Sequence, residues 1–456
     1  MNSTSESASP PLKVGEVVTL QIDGLAAGGD FVARHGPFAV FVSGSAPGEV
    51  AQVEITEVAK TFARGRLISI VKPSPHRVPP TCPHAADCGG CDLQQVDYPA
   101  QLEEKSRLMR ETLRRIGGFS EVELPPPLGM KQPWAYRNKV EYFAARDSQG
   151  KVFLGLIRRG THEVVPISGC AVLHPLNGQV WAALNDLVNV HAQGAEEKNA
   201  LVKVVSRVSF SSERACVTLV TLGKPAFVVT LANALMARLP EVSGVCQAST
   251  RSAHSVHHSP AALVAGNPYL IERVGEWTFR ISPDSFFQVN PRQTVVLTSL
   301  VDEFAGVGEE EILIEGYSGI GTFLLPLGAK ARMATGIEES QSAVADAHAN
   351  IKKHRLENTR IYQGKVETIL PRFAGRKWHA GAVLLDPPRQ GCGKAVITAA
   401  AKLEPRALVI VSCDPATLAR DLRFAAAVGY PPRKVQLVDM FPHTWHTESV
   451  TLCLPQ

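Results

Sequence analysis

The stretch Ile312-Leu-Ile-Glu-Gly-Tyr-Ser-Gly-Ile-Gly-Thr322 decides the fold of the C-terminal part of this chain. Ile312-Leu-Ile-Glu315 is a short apolar run of the kind a buried parallel strand shows, and a glycine-rich turn follows it. Gly319 and Gly321 permit a tight reversal and let the backbone come close to a ligand. Further apolar runs lie at Ala334 to Ile337, Ala382 to Leu385 and Ala407 to Val411, with Val435 to Val438 and Val450 to Leu454 closing the chain. Strand and helix alternate between them, which predicts an open, mostly parallel α/β sheet over residues 281–456.

Glu338 ends the second of these strands, about 20 residues after the glycine turn, where an acidic side chain can accept hydrogen bonds from ribose hydroxyls. A dinucleotide fingerprint would carry glycine three residues after Gly321, and Leu324 stands there instead. That disfavours a nicotinamide cofactor. S-adenosylmethionine needs no diphosphate cradle, only a ribose acceptor, a slot for adenine and room for its methionine end. The plainer alternative is an ordinary glycine-rich turn, and the presence of Glu338 argues against it.

Three further segments follow expected strands: Asp386-Pro-Pro-Arg389-Gln-Gly391, Ser412-Cys413-Asp414-Pro415, and Phe441-Pro-His443-Thr-Trp-His446-Thr-Glu448. Pro415 suits a first helical position, so Cys413 sits where a strand turns into a helix, near amides and the helix's positive end. Both effects favour a thiolate, which makes Cys413 a candidate nucleophile. The competing reading is a cysteine packed as a small hydrophobe. His443 and His446 read as packing residues; Arg389 could meet a phosphate or brace its loop.

At 456 residues the chain exceeds one hydrophobic core. Residues 1–12 read as a disordered N-terminus without a signal peptide, and no apolar run reaches the length of a membrane span, which together imply a cytoplasmic protein. Residues 13–73 alternate in short strands such as Val17 to Ile22 and Val50 to Ile55, broken by Gly24, Gly28, Gly29 and Pro47-Gly48, and predict a small OB-like β-barrel. A proline-rich joint at Pro73 to Pro80 and an amphipathic helix around Leu102 to Ile116 open a central α+β domain over 74–280. Nine cysteines, an odd and unevenly spaced set, argue for reduced thiols with metal or catalytic duties. Cys82-Pro-His-Ala-Ala-Asp-Cys88-Gly-Gly-Cys91 has a ligand-like spacing that suits zinc or an iron-sulfur cluster, and spacing alone does not choose. Cys216, Cys246, Cys392 and Cys453 read as packing residues, and His254, His257 and His258 as part of a polar loop.

The net charge of +4 permits nucleic-acid binding without demonstrating it. Between Lys131 and Arg159, Arg137, Lys139, Arg146, Lys151 and Arg158 are interleaved with Trp134, Tyr136, Tyr142 and Phe143. Cations with aromatic platforms are the footprint of single-stranded RNA, although a solvated sheet face would show the same pattern.

With these segments together the chain resembles the S-adenosylmethionine-dependent RNA 5-methyluridine methyltransferases, in particular the iron-sulfur branch acting on 23S ribosomal RNA. The resemblance runs nearly end to end. It implies a TRAM barrel for Val14 to Val71, a central iron-sulfur and RNA-binding domain, and a Rossmann-like class I methyltransferase domain. It implies a four-iron four-sulfur cluster on Cys82, Cys88, Cys91 and Cys170. It implies a cofactor site built from Gln288 of Ser285-Phe-Phe-Gln-Val-Asn290, Tyr317, Gly319, Gly321, Thr322, Glu338, Lys365 and Asp386. Cys413 would be the nucleophile and Glu448 the base. The sequence departs from the family at Ser318, where many members carry cysteine, at Thr322, where asparagine is frequent, and at Lys365 near the adenine. The expected partner is RNA, ribosomal or transfer, bound by a monomer. A non-enzymatic RNA-binding module and a redox protein using the cluster are the readings from other classes.

Overall fold

The computed structural model describes residues 12–191, 200–252, 258–376 and 378–456. The expected disordered N-terminus, apart from its last residue, lies outside them, as do His254 and His257 and most of the polar stretch His191 to Asn199. The chain packs as two compact units, Met1–Glu111 with Phe441–His446, and Thr112–Met440 with Thr447–Gln456.

In the first unit five strands, β1 (Val17–Leu25), β2 (Phe31–His35), β3 (Phe38–Ser43), β4 (Val50–Val58) and β5 (Phe62–Lys72), close a barrel in the order β1-β2-β3-β5-β4. Alternate residues point inward, so Leu20, Ile22, Val40, Val42, Val53 and Ile55 are buried while Thr19, Gln21 and Gln52 face out. This period-2 pattern is why the sequence reads as a barrel. Helix α1 (Tyr98–Thr112) follows, and its buried face carries two polar residues. Gln101 Oε1 accepts the His443 amide at 3.0 Å, and Lys105 Nζ donates to the Phe441 carbonyl at 3.1 Å. The His443 carbonyl accepts the amides of Asp92 and Leu93 at 2.9 and 3.0 Å. These bonds fix the segment that precedes the last strand of the chain.

The second unit holds a seven-stranded sheet built from β6 (Lys139–Arg146), β7 (Val152–Ile157), β8 (Val164–Pro166), β9 (Leu201–Ser209), β10 (Arg214–Leu222), β11 (Val242–Thr250) and β12 (Ala262–Gly266), in the order β12-β11-β10-β9-β6-β7-β8. Helices α2 (Pro175–His191) and α3 (Phe227–Arg238) share one apolar core with it, centred on Val180, Leu184, Val204, Val217, Leu231 and Leu235. A hairpin, β13 (Leu270–Val274) and β14 (Trp277–Ile281), leads on.

The remaining strands form the sheet that the glycine-rich stretch predicts: β15 (Ile312–Gly316), β16 (Met333–Glu338), β17 (Thr359–Gln363), β18 (Ala382–Leu385), β19 (Ala407–Ser412), β20 (Pro432–Val438) and β21 (Glu448–Cys453). Their order is β17-β16-β15-β18-β19-β21-β20, with β21 antiparallel to both neighbours and the first five strands parallel. Every residue of β18 and β19 is buried, which explains why these strands read as continuous apolar runs. Helices α4 (Pro291–Ala305), α5 (Leu324–Gly328), α6 (Gln341–His354), α7 (Val366–Gly375), α8 (Gly393–Ala401) and α9 (Pro415–Ala427) connect the strands. The strand order reverses direction between β15 and β18, and ligands of such sheets bind in the crevice at the carboxyl ends of those two strands. Among the described residues no helix is long and apolar enough to cross a membrane.

Candidate cofactor and nucleophile site

At the end of β15 the backbone turns through Tyr317 at φ 63°, Gly319 at φ 55° and Gly321 at φ 89°. Gly321 is required twice over. Its positive φ disfavours any side chain, and a Cβ there would stand 2.2 Å from Leu325 Cδ1. Glu338, at the end of β16, accepts the Gly319 amide at 2.9 Å on one carboxylate oxygen and the Ser340 amide at 2.7 Å on the other. Its orientation is therefore set in advance by the turn it faces. Two buried oxygens at this turn, Glu315 Oε2 and Ser318 Oγ, have no hydrogen-bond partner, and orphaned polar atoms at a crevice are what a polar ligand would satisfy. The donor set thus fits a nucleoside bearing an amino-acid end. Tyr317 Oη donates to Glu367 at 2.8 Å and Lys365 Nζ lies 3.8 Å from Glu339, so both flank the turn on its α7 side.

The carboxyl end of β18 brings Asp386 beside this turn, its amide 3.4 Å from the Gly316 carbonyl. Burial, then the charge of Glu338, pushes the Asp386 carboxyl up to about 7. Glu315 is pushed well above the ordinary carboxyl range by burial, with Asp386 and Glu338 adding repulsion. Sequence reasoning assigned Glu315 no role. Its signal was an acid inside an apolar strand, which is costly unless neutral or partnered.

The register of β19 and β21 settles the other half of the site. Leu408 pairs with Cys453 and Ser412 with Ser449, so one further step sets Cys413 opposite Glu448. Glu448 is 3 % exposed and its carboxyl is raised well above its usual range by burial and by Asp386, with Arg389 opposing. Cys413 is half-buried. Its thiol is pushed up to about 12 by burial first, then by the charges of Glu448 and Asp386, against the lowering effects of Arg389 and its own amide. The thiol is therefore raised rather than lowered, against the expectation of a favoured thiolate. Burial is the chief reason, and Glu448 and Asp386 add repulsion; Asp414 caps α9, its side chain accepting the Thr417 amide at 2.8 Å. Pro415 does occupy the first helical position.

Residues 11–68 match the TRAM domain family, and residues 270–454 match the family described as tRNA (Uracil-5-)-methyltransferase. An uncharacterized RNA methyltransferase of Bacillus cereus is 34% identical over 98% of this chain and 98% of its own length. One from Caldanaerobacter subterraneus is 36% identical over 97% of this chain and 98% of its own. The chain belongs to the RNA methyltransferase family. Among solved structures, the Pyrococcus abyssi tRNA (uracil-54, C5)-methyltransferase in complex with S-adenosyl-L-homocysteine superposes with a TM-score of 0.74 at 25% identity, covering 96% of this chain and all of that one. The family and that bound neighbour support S-adenosylmethionine as the cofactor, and the TRAM barrel and methyltransferase fold stand as expected.

In this RNA methyltransferase Gln288 is buried and held through its backbone, since its carbonyl accepts Asn138 Nδ2 at 3.1 Å. Asp346 of α6 fixes the same segment by accepting Ser282 N, Ser282 Oγ and Ser285 Oγ at 2.7, 2.8 and 2.7 Å. Thr322 is half-buried at the glycine turn. The expected cluster ligands fare differently. Cys82, Cys88 and Cys91 lie on one loop of the first unit, and Cys170 belongs to the second unit. The Gly90 amide is 3.4 Å from Cys88 Sγ, and burial raises the Cys88 thiol with a smaller push from Cys82. Among the described residues, however, no three His, Cys, Asp or Glu side chains are gathered as a metal site requires. None of the nine cysteines forms a disulfide.

The basic and aromatic segment is partly corrected as well. Tyr136 and Tyr142 are each 1 % exposed, and Tyr142 belongs to the apolar core with its hydroxyl donating to the Asn177 carbonyl at 3.1 Å. Neither can stack on a base. Alternation along β6 puts Tyr142 inward, a pattern the sequence shows equally for a sheet face, and Tyr136 is buried just before that strand. Lys139 and Lys203 remain as cations on that sheet, both paired with Glu141.

Proposed function

We propose that this protein transfers a methyl group from S-adenosylmethionine to carbon 5 of a uridine in RNA, with 23S ribosomal RNA as the first substrate to test. The observation that supports this reading is the β19–β21 register, which, continued one step, brings Cys413 to Glu448 with Asp386 nearby. Carbon 5 of uracil is a weak nucleophile, so a thiolate must first add to carbon 6. Cys413 forms that sulfur–carbon bond, and the ring electrons move onto the carbonyl as an enolate. When bound, S-adenosylmethionine supplies the electrophilic methyl group that the enolate's carbon 5 takes. Glu448 then accepts the proton from carbon 5, the carbon 5–carbon 6 double bond re-forms, and the Cys413 sulfur leaves. A carboxylate raised by burial is the stronger base for this step. Arg389 is the cation that opposes both acids at Cys413, and it stabilises the thiolate once formed. Gln288, Tyr317, Gly319, Gly321, Thr322, Glu338, Lys365 and Asp386 form the cofactor pocket in this reading, with Glu338 toward the ribose.

A transfer-RNA uridine is the second reading, favoured by the solved neighbour's own substrate class. Labelled cofactor offered to unmodified ribosomal and transfer RNA separates the two. The spacing of Cys82, Cys88 and Cys91 and the Gly90 amide beside Cys88 support a four-iron four-sulfur cluster completed by Cys170. Anaerobic purification with iron, sulfide and zinc analysis tests it, and a zinc-only or metal-free protein would reject it. The protein is read as a cytoplasmic monomer.

A further inference from the structure

The loop between β18 and α8 carries Asp386 and Arg389, which act on Cys413 in opposite senses, and the helix that begins just after Cys413 holds that loop in place. On α9, Thr417, Arg420 and Asp421 stand at i, i+3 and i+4, so they share one face. Thr417 Oγ1 donates to the Arg389 carbonyl at 3.1 Å. Arg420 Nη2 donates to the Gln390 carbonyl at 2.7 Å. Asp421, 1 % exposed, accepts the Cys392 amide at 2.6 Å, the Gly393 amide at 3.3 Å, and Arg420 Nε and Nη2 at 3.0 and 2.8 Å. Between these contacts Gly391 turns at φ 77°, its amide bonded to the Pro388 carbonyl at 2.8 Å. A Cβ on Gly391 would stand 2.4 Å from Asp421 Oδ2 and 2.5 Å from Arg420 Nη2. The loop backbone therefore lies directly on the Arg420–Asp421 pair.

We propose that Thr417, Arg420 and Asp421 are positioning residues, a clamp by which the nucleophile's own helix sets Arg389 against Cys413. The idea deepens the methyltransfer reading and rests on it for its purpose, but not for its test. The groups facing Cys413 are Glu448 from β21, Asp386 and Arg389 from the clamped loop, and its own amide. Of the two loop groups, Asp386 directly follows its strand, whereas Arg389 lies beyond Pro387-Pro388, where Thr417 holds its carbonyl.

The test measures iodoacetamide alkylation of Cys413 in the full-length protein at fixed pH, read by peptide mass spectrometry. Loss of the clamp should cost about half to one unit of thiol acidity. Because nucleophilicity rises as acidity falls, the net slowing is about two- to threefold. Asp421→Asn and Arg389→Gln should each slow alkylation, and the double variant should be no slower than Arg389→Gln alone, since both act through one group. A merely structural Asp421 would lower Tm without this non-additivity. An unchanged rate in Asp421→Asn beside a slowed Arg389→Gln overturns the proposal, and so does an unchanged rate in Arg389→Gln. Should Asp421→Asn not fold, Thr417→Val removes the bond to the Arg389 carbonyl, together with a longer local one to the Asp414 carbonyl at 3.3 Å, and must slow alkylation in the same direction. The assay needs no RNA, so a shifted alkylation rate with no methylated uridine would sink the methyltransfer reading and leave the clamp standing.

Discussion

Replacing Glu448 with glutamine should make Cys413 more reactive while destroying turnover. Glu448 is the second-largest cause of the raised Cys413 thiol, after burial, and the register sets the two residues opposite one another. Cross-strand neighbours have Cβ atoms about 5 Å apart, which puts the charges at roughly 6 Å. At an effective dielectric of about 20 that pair is worth about 3 kcal/mol, or about two units of acidity. Cys413 is only half-buried, so solvent screening reduces this to about one unit. The sign is fixed in the alkaline range where Glu448 is ionised: removing a negative charge beside a thiol lowers its acid constant's exponent and raises the thiolate fraction at a given pH. A tenfold gain in thiolate is offset by lower intrinsic nucleophilicity, and alkylation by iodoacetamide should quicken about threefold. With RNA and cofactor, the same variant should accumulate a covalent protein–RNA species on a denaturing gel, because carbon 5 keeps its proton and Cys413 cannot be expelled. Alkylation that is unchanged or slower would refute the electrostatic reasoning, and wild-type turnover in Glu448→Gln would refute its role as base.

Asp386→Asn should flatten the dependence of stability on pH. A carboxyl held near 7 when folded and near about 4 when unfolded keeps more protons in the native state across that window, so unfolding free energy falls as pH rises through it, by up to about 1.4 kcal/mol per pH unit. Urea titrations at several pH values check the slope. Asp346→Ala removes the acceptor of Ser282 N, Ser282 Oγ and Ser285 Oγ and the ion-pair partner of Arg280. It should cost about 3 kcal/mol of stability and weaken cofactor binding by calorimetry through the Gln288 segment. Gly321→Ala, with its Cβ 2.2 Å from Leu325 Cδ1 and φ at 89°, should abolish measurable S-adenosylmethionine binding.

The strands of the last sheet were legible because β18 and β19 are buried on both faces, and the barrel because its residues alternate inside and out. The glycine turn and Glu338 were legible from their spacing along a single βαβ unit. What sequence could not supply is whatever depends on register or on distant chain. The acidity of Cys413 is set by Glu448, Asp386 and Arg389, which sheet pairing brings together. The clamp on the Arg389 loop lies about 30 residues away on a helix whose face only becomes visible once α9 is placed. Tyr136 and Tyr142 show the converse: an aromatic and basic run is compatible with either a platform or a core, and burial decided for the core. The assignment of Phe441–His446 to the first compact unit, with its flanking strands in the second, is likewise invisible to local patterning.

The most direct test incubates purified protein with labelled S-adenosylmethionine and unmodified ribosomal and transfer RNA, beside Cys413→Ala, and maps any 5-methyluridine formed. The account predicts label at a defined uridine with the native protein and none with the variant. Label that persists in Cys413→Ala, or protein that binds both RNA and cofactor yet yields no 5-methyluridine, would contradict it.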